Sequence, residues 1–201
     1  MNIAVSPQTI PITWQDYLSR NYDRTQIPWQ RYRYSGTGVV EVTSEVLKNG
    51  VVARRLARRL EPFVSDPDQQ ILLNILGVEV ERSEREERIP DLAVISEELA
   101  ELIDFDNSST LTLDMPSPLL VVEVVSPSSV KDDLETKPFE YMGRSVGEYV
   151  SIDWRKEIVQ VWSRTEDSKN YNFSEYRTGD RVVLNSFPSL SITVDEMILK
   201  K

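Results

Sequence analysis

The chain has 201 residues and a formal net charge of −10, with 23 Lys+Arg against 33 Asp+Glu, and it contains neither His nor Cys. Those two absences exclude a Ser-His or Cys-His nucleophile, a zinc site of Cys/His type and a disulfide framework. Carboxylates, Lys, Arg, Tyr and Ser/Thr are left to do any chemistry, alongside hard cations that prefer oxygen ligands.

Length predicts one domain over 1–201. No run approaches the roughly 18 apolar residues of a bilayer-spanning helix, and Met1 to Trp14 lacks a basic start followed by an apolar stretch. A soluble, cytoplasmic protein without a membrane partner is the expectation. The acidic balance opposes non-specific nucleic-acid binding, which draws its affinity from phosphate neutralisation by Lys and Arg.

In chain order, residues 1–36 read as an aromatic- and Pro-containing N-terminal arm with a short helix at 13–20. Ser44 is placed as the N-cap of a helix to about Phe63, because Leu47, Val51, Val52, Leu56 and Leu60 recur at helical spacing. Its other face carries Arg54, Arg55, Arg58 and Arg59, a solvated face or a surface for phosphates. Ile71–Val80 and Ile89–Ile95 read as a hairpin, with the intervening ERSEREER as its solvated tip. A helical turn at 97–102 follows. Leu119–Val125 is so apolar that it reads as a strand buried on both faces. A helix at about 131–142, a strand at 148–153 and an antiparallel tail (158–163, 171–177, 181–184, 190–194) with a final helix from Thr193 or Asp195 complete the chain. No internal repeat or low-complexity tract divides it.

Within LLVVEVV, Glu123 is anomalous, since burying an ionised carboxylate costs several kcal/mol unless a cation or strong donors meet it. A salt bridge to an Arg, an edge position open to water, or a metal-ligand role would each meet that demand. Asp91 follows Pro90 at the start of a strand able to neighbour Glu123. Two carboxylates on adjacent strands can hold Mg²⁺ or Mn²⁺, leaving waters and phosphate oxygens to complete the octahedron. Asp133, Lys137 and Tyr141 recur every four residues and so share one helix face, either as an ordinary ion pair beside an aromatic contact or with Lys137 reaching back to the metal. There the Lys would position or help deprotonate the attacking water and offset charge in the transition state.

The string Pro90-Asp91, then Val121-Val122-Glu123-Val124-Val125-Ser126-Pro127-Ser128-Ser129, then Asp133, Lys137 and Tyr141, then Gly147-Glu148-Tyr149 with Ile152-Asp153, resembles the PD-(D/E)xK nuclease superfamily. Within it, the resemblance is to the Uma-two family of restriction-endonuclease domains, over about residues 30–155. It implies an α/β fold: an αβββαβ core with a mixed central sheet flanked by helices over 37–155, plus an antiparallel extension over 156–201. It further implies that Asp91 and Glu123 bind a divalent metal and that Lys137 is the active-site lysine, with Asp133 and Tyr141 in support. Many superfamily members place the lysine two residues after the glutamate, where this chain has Val125, so the lysine has moved to the following helix; Lys131 is the fallback. Pro138 disfavours helical geometry at Lys137. Asn49-Gly50 stands where the family tends to carry His, and Glu41 or Glu45 is a candidate to join the metal site.

The expected function is a Mg²⁺- or Mn²⁺-dependent endonuclease acting on nucleic acid, DNA ahead of RNA. Net −10 requires a local basic face, such as Arg54 to Arg59, to hold that substrate. The alternative is a catalytically inactive nuclease-fold module, binding or regulatory, acting as a homodimer through the β-rich tail. A Ser-Lys hydrolase using Ser126 or Ser128 lacks a visible nucleophile turn, and no Gly-x-x-x-x-Gly-Lys phosphate loop occurs.

Overall fold

The computed structural model describes residues 9–19, 32–41, 47–81, 86–103, 109–127, 129–165 and 171–198, with Tyr32 and Glu41 described by backbone alone. Ser44, Glu45, Ser128 and the Glu41 side chain lie outside the described residues. The elements are β1 (Ile10–Pro11), α1 (Trp14–Leu18), β2 (Tyr32–Ser35), β3 (Gly38–Glu41), α2 (Leu47–Leu60), α3 (Pro67–Gln70), β4 (Ile71–Leu72), β5 (Gly77–Val80), β6 (Glu86–Arg88), β7 (Leu92–Val94), α4 (Glu97–Leu102), β8 (Thr110–Leu111), β9 (Leu120–Val124), a π-helical turn (Asp132–Thr136) running into α5 (Lys137–Gly143), β10 (Glu148–Asp153), β11 (Ile158–Arg164), β12 (Tyr171–Arg177), β13 (Arg181–Val182), β14 (Ile192–Thr193) and α6 (Val194–Ile198). None of the described helices is long and apolar enough to cross a membrane.

The expected mixed α/β architecture is present. Six strands form a central sheet in the order β12-β11-β10-β9-β7-β4, in which β9 and β10 are parallel and the other pairs antiparallel. The parallel pair needs a crossover, and the π turn with α5 supplies it. A second sheet runs β1-β3-β2-β6-β5-β8. β11 and β12, the start of the expected C-terminal extension, lengthen the central sheet itself.

β9 is buried on both faces, as its composition predicts. Leu120, Val122 and Val124 join the core formed with α2 and α6, whereas Val121 joins a second core with Val78, Val80, Tyr141 and Tyr149. Alternation therefore turns Glu123 toward the second core, among α5 and β5. At the head of β10, Gly147 permits close passage: a Cβ there would lie 2.5 Å from the Leu119 carbonyl oxygen.

Three expectations need correction. The buried face of α2 is Asn49, Val52, Ala53, Leu56, Ala57 and Leu60, while Leu47 is 86% exposed. The small alanines, which let the helix approach β9, set the stripe in place of the larger residue. Ile71–Val80 is two strands: Ile71 and Leu72 pair with β7 in the central sheet, whereas β5 belongs to the second sheet, after a break in which Asn74 takes φ 55°. The ERSEREER run is not a solvated tip throughout, because Glu86, Glu87 and Arg88 form β6 and are buried, while residues 82–85 lie outside the described residues. Each has partners there: Glu86 meets Arg33 and Ser35, Glu87 accepts from Tyr17 and Thr110, and Arg88 meets Glu140 and Asp132.

Candidate active site

Register gathers the site. Leu92 pairs with Val122, so Asp91, one residue earlier, lies at the level of Glu123, and Ser151 on β10 lies opposite Glu123 from the other side. Directly opposed residues share a face. The Asp91 carboxylate is fixed there by the backbone N–H of Val124, which donates to its Oδ2 at 2.6 Å.

Lys137 reaches Glu123 despite Pro138. Its Nζ lies 3.0 Å from Glu123 Oε1 and 2.7 Å from Asp133 Oδ1. The Tyr141 hydroxyl donates to Glu123 Oε1 at 3.1 Å, and Ser129 donates to Asp133 Oδ2. Glu123, Asp133, Lys137 and Tyr141 thus meet directly, with Asp91 at the strand level of Glu123, and Lys131, the fallback, is exposed at the start of the π turn.

The π turn explains how a Lys-Pro pair is tolerated. Within it the Lys137 N–H donates to the Asp132 carbonyl, five residues back. Pro138 has no N–H to continue that ladder to Asp133, and the Asp133 carbonyl accepts instead from the Tyr149 hydroxyl at 2.7 Å. Pro138 then occupies the first turn of α5, where its fixed φ suits a helix start. Tyr149 also stacks on Tyr141, with ring centroids 5.3 Å apart.

Electrostatically the site is short of positive charge. Burial pushes the Glu123 carboxyl up to about 8; Lys137 opposes the shift, and the Asp91 and Asp133 charges add to it. Burial disfavours charge on Lys137, but Glu123 and Asp133 outweigh it and hold the ammonium above its ordinary range. Burial first, and the Glu123 charge second, keep Tyr141 protonated as a donor.

The residues fit a hard divalent cation. Asp91 and Glu123 are carboxylates at the same level of neighbouring segments, the oxygen donors a hard cation prefers, and Glu123 demands a proton or a cation even beside Lys137. Among the described residues no group of three or more such ligands gathers, so any ion here would keep most of its shell for water and phosphate oxygens, as Mg²⁺ commonly does.

Three functional positions carry no assigned role in the sequence reading. Asn49 donates to the Val124 carbonyl at 2.8 Å and accepts from Trp154 Nε1 at 2.8 Å, tying α2 to the residue after Glu123. Its signal was its spacing, four before Ala53 and seven before Leu56 on the buried stripe. Arg88 forks onto Glu140 (Nε–Oε2 2.7 Å, Nη2–Oε1 3.0 Å) and reaches Asp132 at 3.1 Å, bracing both ends of the segment that carries Lys137. Tyr149 is the third.

The family model described as "Uma2: Putative restriction endonuclease" matches residues 14–195. Among solved structures, the crystal structure of a "putative nuclease belonging to DUF820" from Anabaena variabilis ATCC 29413 is similar, with a TM-score of 0.67 at 13% identity over 94% of this chain and 98% of that one. At that identity the likeness speaks for the fold. No curated protein matches the chain.

Proposed function

The chain belongs to the Uma2 family, and we propose that it is a divalent-metal-dependent endonuclease that hydrolyses phosphodiester bonds of nucleic acid, DNA ahead of RNA. The observation that carries this reading is the ammonium of Lys137 at 3.0 Å from Glu123, at the strand level of Asp91.

Asp91 and Glu123 would hold Mg²⁺ or Mn²⁺, which supplies Lewis-acid polarisation of the phosphoryl oxygen and a more acidic water. Lys137, held as an ammonium, cannot take a proton; it would orient the nucleophile and offset charge building on the phosphoryl oxygens as the water oxygen bonds to phosphorus and releases its proton to bulk water, while the ester P–O bond breaks and the leaving oxygen takes a proton from water in turn. Asp133 holds the Lys137 ammonium as a second carboxylate beside Glu123. Tyr141 fixes the Glu123 carboxylate by donating to Oε1.

Plasmid nicking tests the reading. Wild-type protein with Mg²⁺ or Mn²⁺ nicks DNA, while Glu123→Ala and Lys137→Ala fall by at least about 100-fold, the usual loss of one electrostatic stabiliser, with circular dichroism unchanged. Folded wild type that cuts neither DNA nor RNA with either metal overturns it. A second reading, a non-catalytic module that dimerises through the largely exposed strand β12, is favoured by the two-carboxylate ligand set. Calorimetric titration separates the two: metal heat abolished by Asp91→Asn belongs to the enzyme, and wild type without heat belongs to the module.

A further inference from the structure

A nuclease with net charge −10 needs a place where phosphates are welcome, and the arginine face of α2 is in part already engaged elsewhere. Arg59 donates to the Ser191 carbonyl at 3.1 Å and pairs with Glu196 at 3.3 Å, and Arg55 also lies in the field of Glu196. From Asn49, at the site end of α2, the helix runs about 13 Å before it reaches Arg58.

Different cations surround the end of β9. The turn joining β10 to β11 carries Trp154, Arg155 and Lys156, and Lys48 comes from the first turn of α2. Lys48 Nζ sits 4.0 Å from the Trp154 ring centroid, and the Arg155 guanidinium carbon sits 5.2 Å from it. Trp154 hydrogen-bonds Asn49, which holds the Val124 carbonyl, and Arg155 Nη2 donates to the Val125 carbonyl at 2.7 Å. Both cation-bearing elements are therefore tied to the two residues directly after Glu123. Buried Asp153 shapes the turn by accepting from the N–H groups of Arg155 (3.1 Å) and Lys156 (3.2 Å). Its carboxylate lies 3.6 Å from Arg155 Nε and 3.9 Å from Lys156 Nζ, leaving the Lys156 side chain 59% exposed. Glu157, the other acid of the turn, accepts from Thr178 at 2.6 Å.

We propose that Lys48, Arg155 and Lys156, arrayed around Trp154, form a lip that binds the phosphate backbone of a polynucleotide beside the Glu123 end of β9. This deepens the nuclease reading and rests on it. An indole flanked by cations adds a stacking surface for an unpaired base to the phosphate contacts. Because the rest of the protein is acidic, affinity comes from this corner and disappears steeply with salt: three phosphate contacts give a log–log slope of about −3 on a duplex and about −2 on a single strand.

The test is fluorescence anisotropy of a labelled oligonucleotide, as DNA duplex, DNA single strand and RNA single strand, across a salt series in EDTA. Lys48→Ala/Lys156→Ala weakens binding about tenfold and flattens the salt slope by about 2, whereas Arg54→Ala/Arg58→Ala leaves both unchanged. The polymer whose binding is both tightest and dependent on the lip names the substrate. Binding that survives Lys48→Ala/Lys156→Ala, a loss that follows Arg54→Ala/Arg58→Ala instead, or a parent protein that binds none of the three overturns the proposal. Measured without metal, these outcomes are independent of cleavage, so a protein that binds through the lip but nicks nothing refutes the nuclease reading and leaves the lip standing.

Discussion

Two ionic knots, each centred on a largely buried cation, share the same stretch of chain and differ in how completely they close. Asp132 and Glu140 go to Arg88, whose planar fork meets both carboxylates, while Asp133 and Glu123 go to Lys137. In the first knot the guanidinium offers a separate N–H to almost every carboxylate oxygen it meets. In the second, a single ammonium is divided between two carboxylates, and Glu123 still sits far above its ordinary range. A closed knot fixes position; an open one has capacity for a further positive charge.

The largest expected effect tests the closed knot. Arg88→Met leaves Glu140 buried at 8% exposure without its guanidinium, and loss of one partner from a buried pair costs about 3–5 kcal/mol. Urea denaturation should show that loss as a lowered midpoint at unchanged slope. Lys137→Met should cost less, because Glu123 can take up a proton in place of the ammonium. If Lys137→Met proves the more damaging of the two in metal-free buffer, the distinction between the knots is wrong.

The open knot has its own pH signature. Glu123 binds its proton more tightly folded than unfolded, so its contribution to stability is fully present below its ordinary value of 4.5 and is lost as pH rises through about 8. Metal-free protein should therefore lose stability across that window, and Glu123→Gln should remove this part of the slope. Saturating Mg²⁺ should flatten it too, since binding to an ionised carboxylate releases the proton and stabilises the fold by mass action. Thermal melts at several pH values, with and without Mg²⁺, measure this; a parent and a Glu123→Gln variant with the same profile would remove Glu123 as its source.

The open knot was legible in the sequence and the closed one was not, for a physical reason. Glu123 is conspicuous because its neighbours along β9 are apolar, and Asp133, Lys137 and Tyr141 repeat at a local helical period. Arg88 lies in a run of charges that looks like a solvated tip, and its partners are 44 and 52 residues away in the chain. Strand β9, strand β10 and helix α4 were read nearly to the residue because period and composition are local. The division of Ile71–Val80 between two sheets was hidden because both halves are equally β-like, and only tertiary pairing separates them. Asn49 lies on the predicted helix but off its predicted apolar stripe, because an amide gives no signal in an apolar period.

The smallest effect tests how the two knots are kept apart, at the π turn between them. Tyr149→Phe removes the hydroxyl that serves the Asp133 carbonyl and leaves that buried acceptor unmet, at a cost of about 1–3 kcal/mol. Because the turn already runs five residues back at Lys137, an N–H at position 138 would point to the Asp133 carbonyl by the same pattern. Pro138→Ala supplies it. In the parent that N–H competes with Tyr149 for an acceptor already satisfied, so the single change should fall within about 1 kcal/mol. In the Tyr149→Phe background it fills a vacancy and should recover most of the loss. A double-mutant cycle therefore reads a coupling of about 1 kcal/mol between residues 138 and 149. Additive effects would mean that Tyr149 does not stand in for the missing backbone donor, and that the aim of Lys137 is set by Arg88 and Asp133 alone.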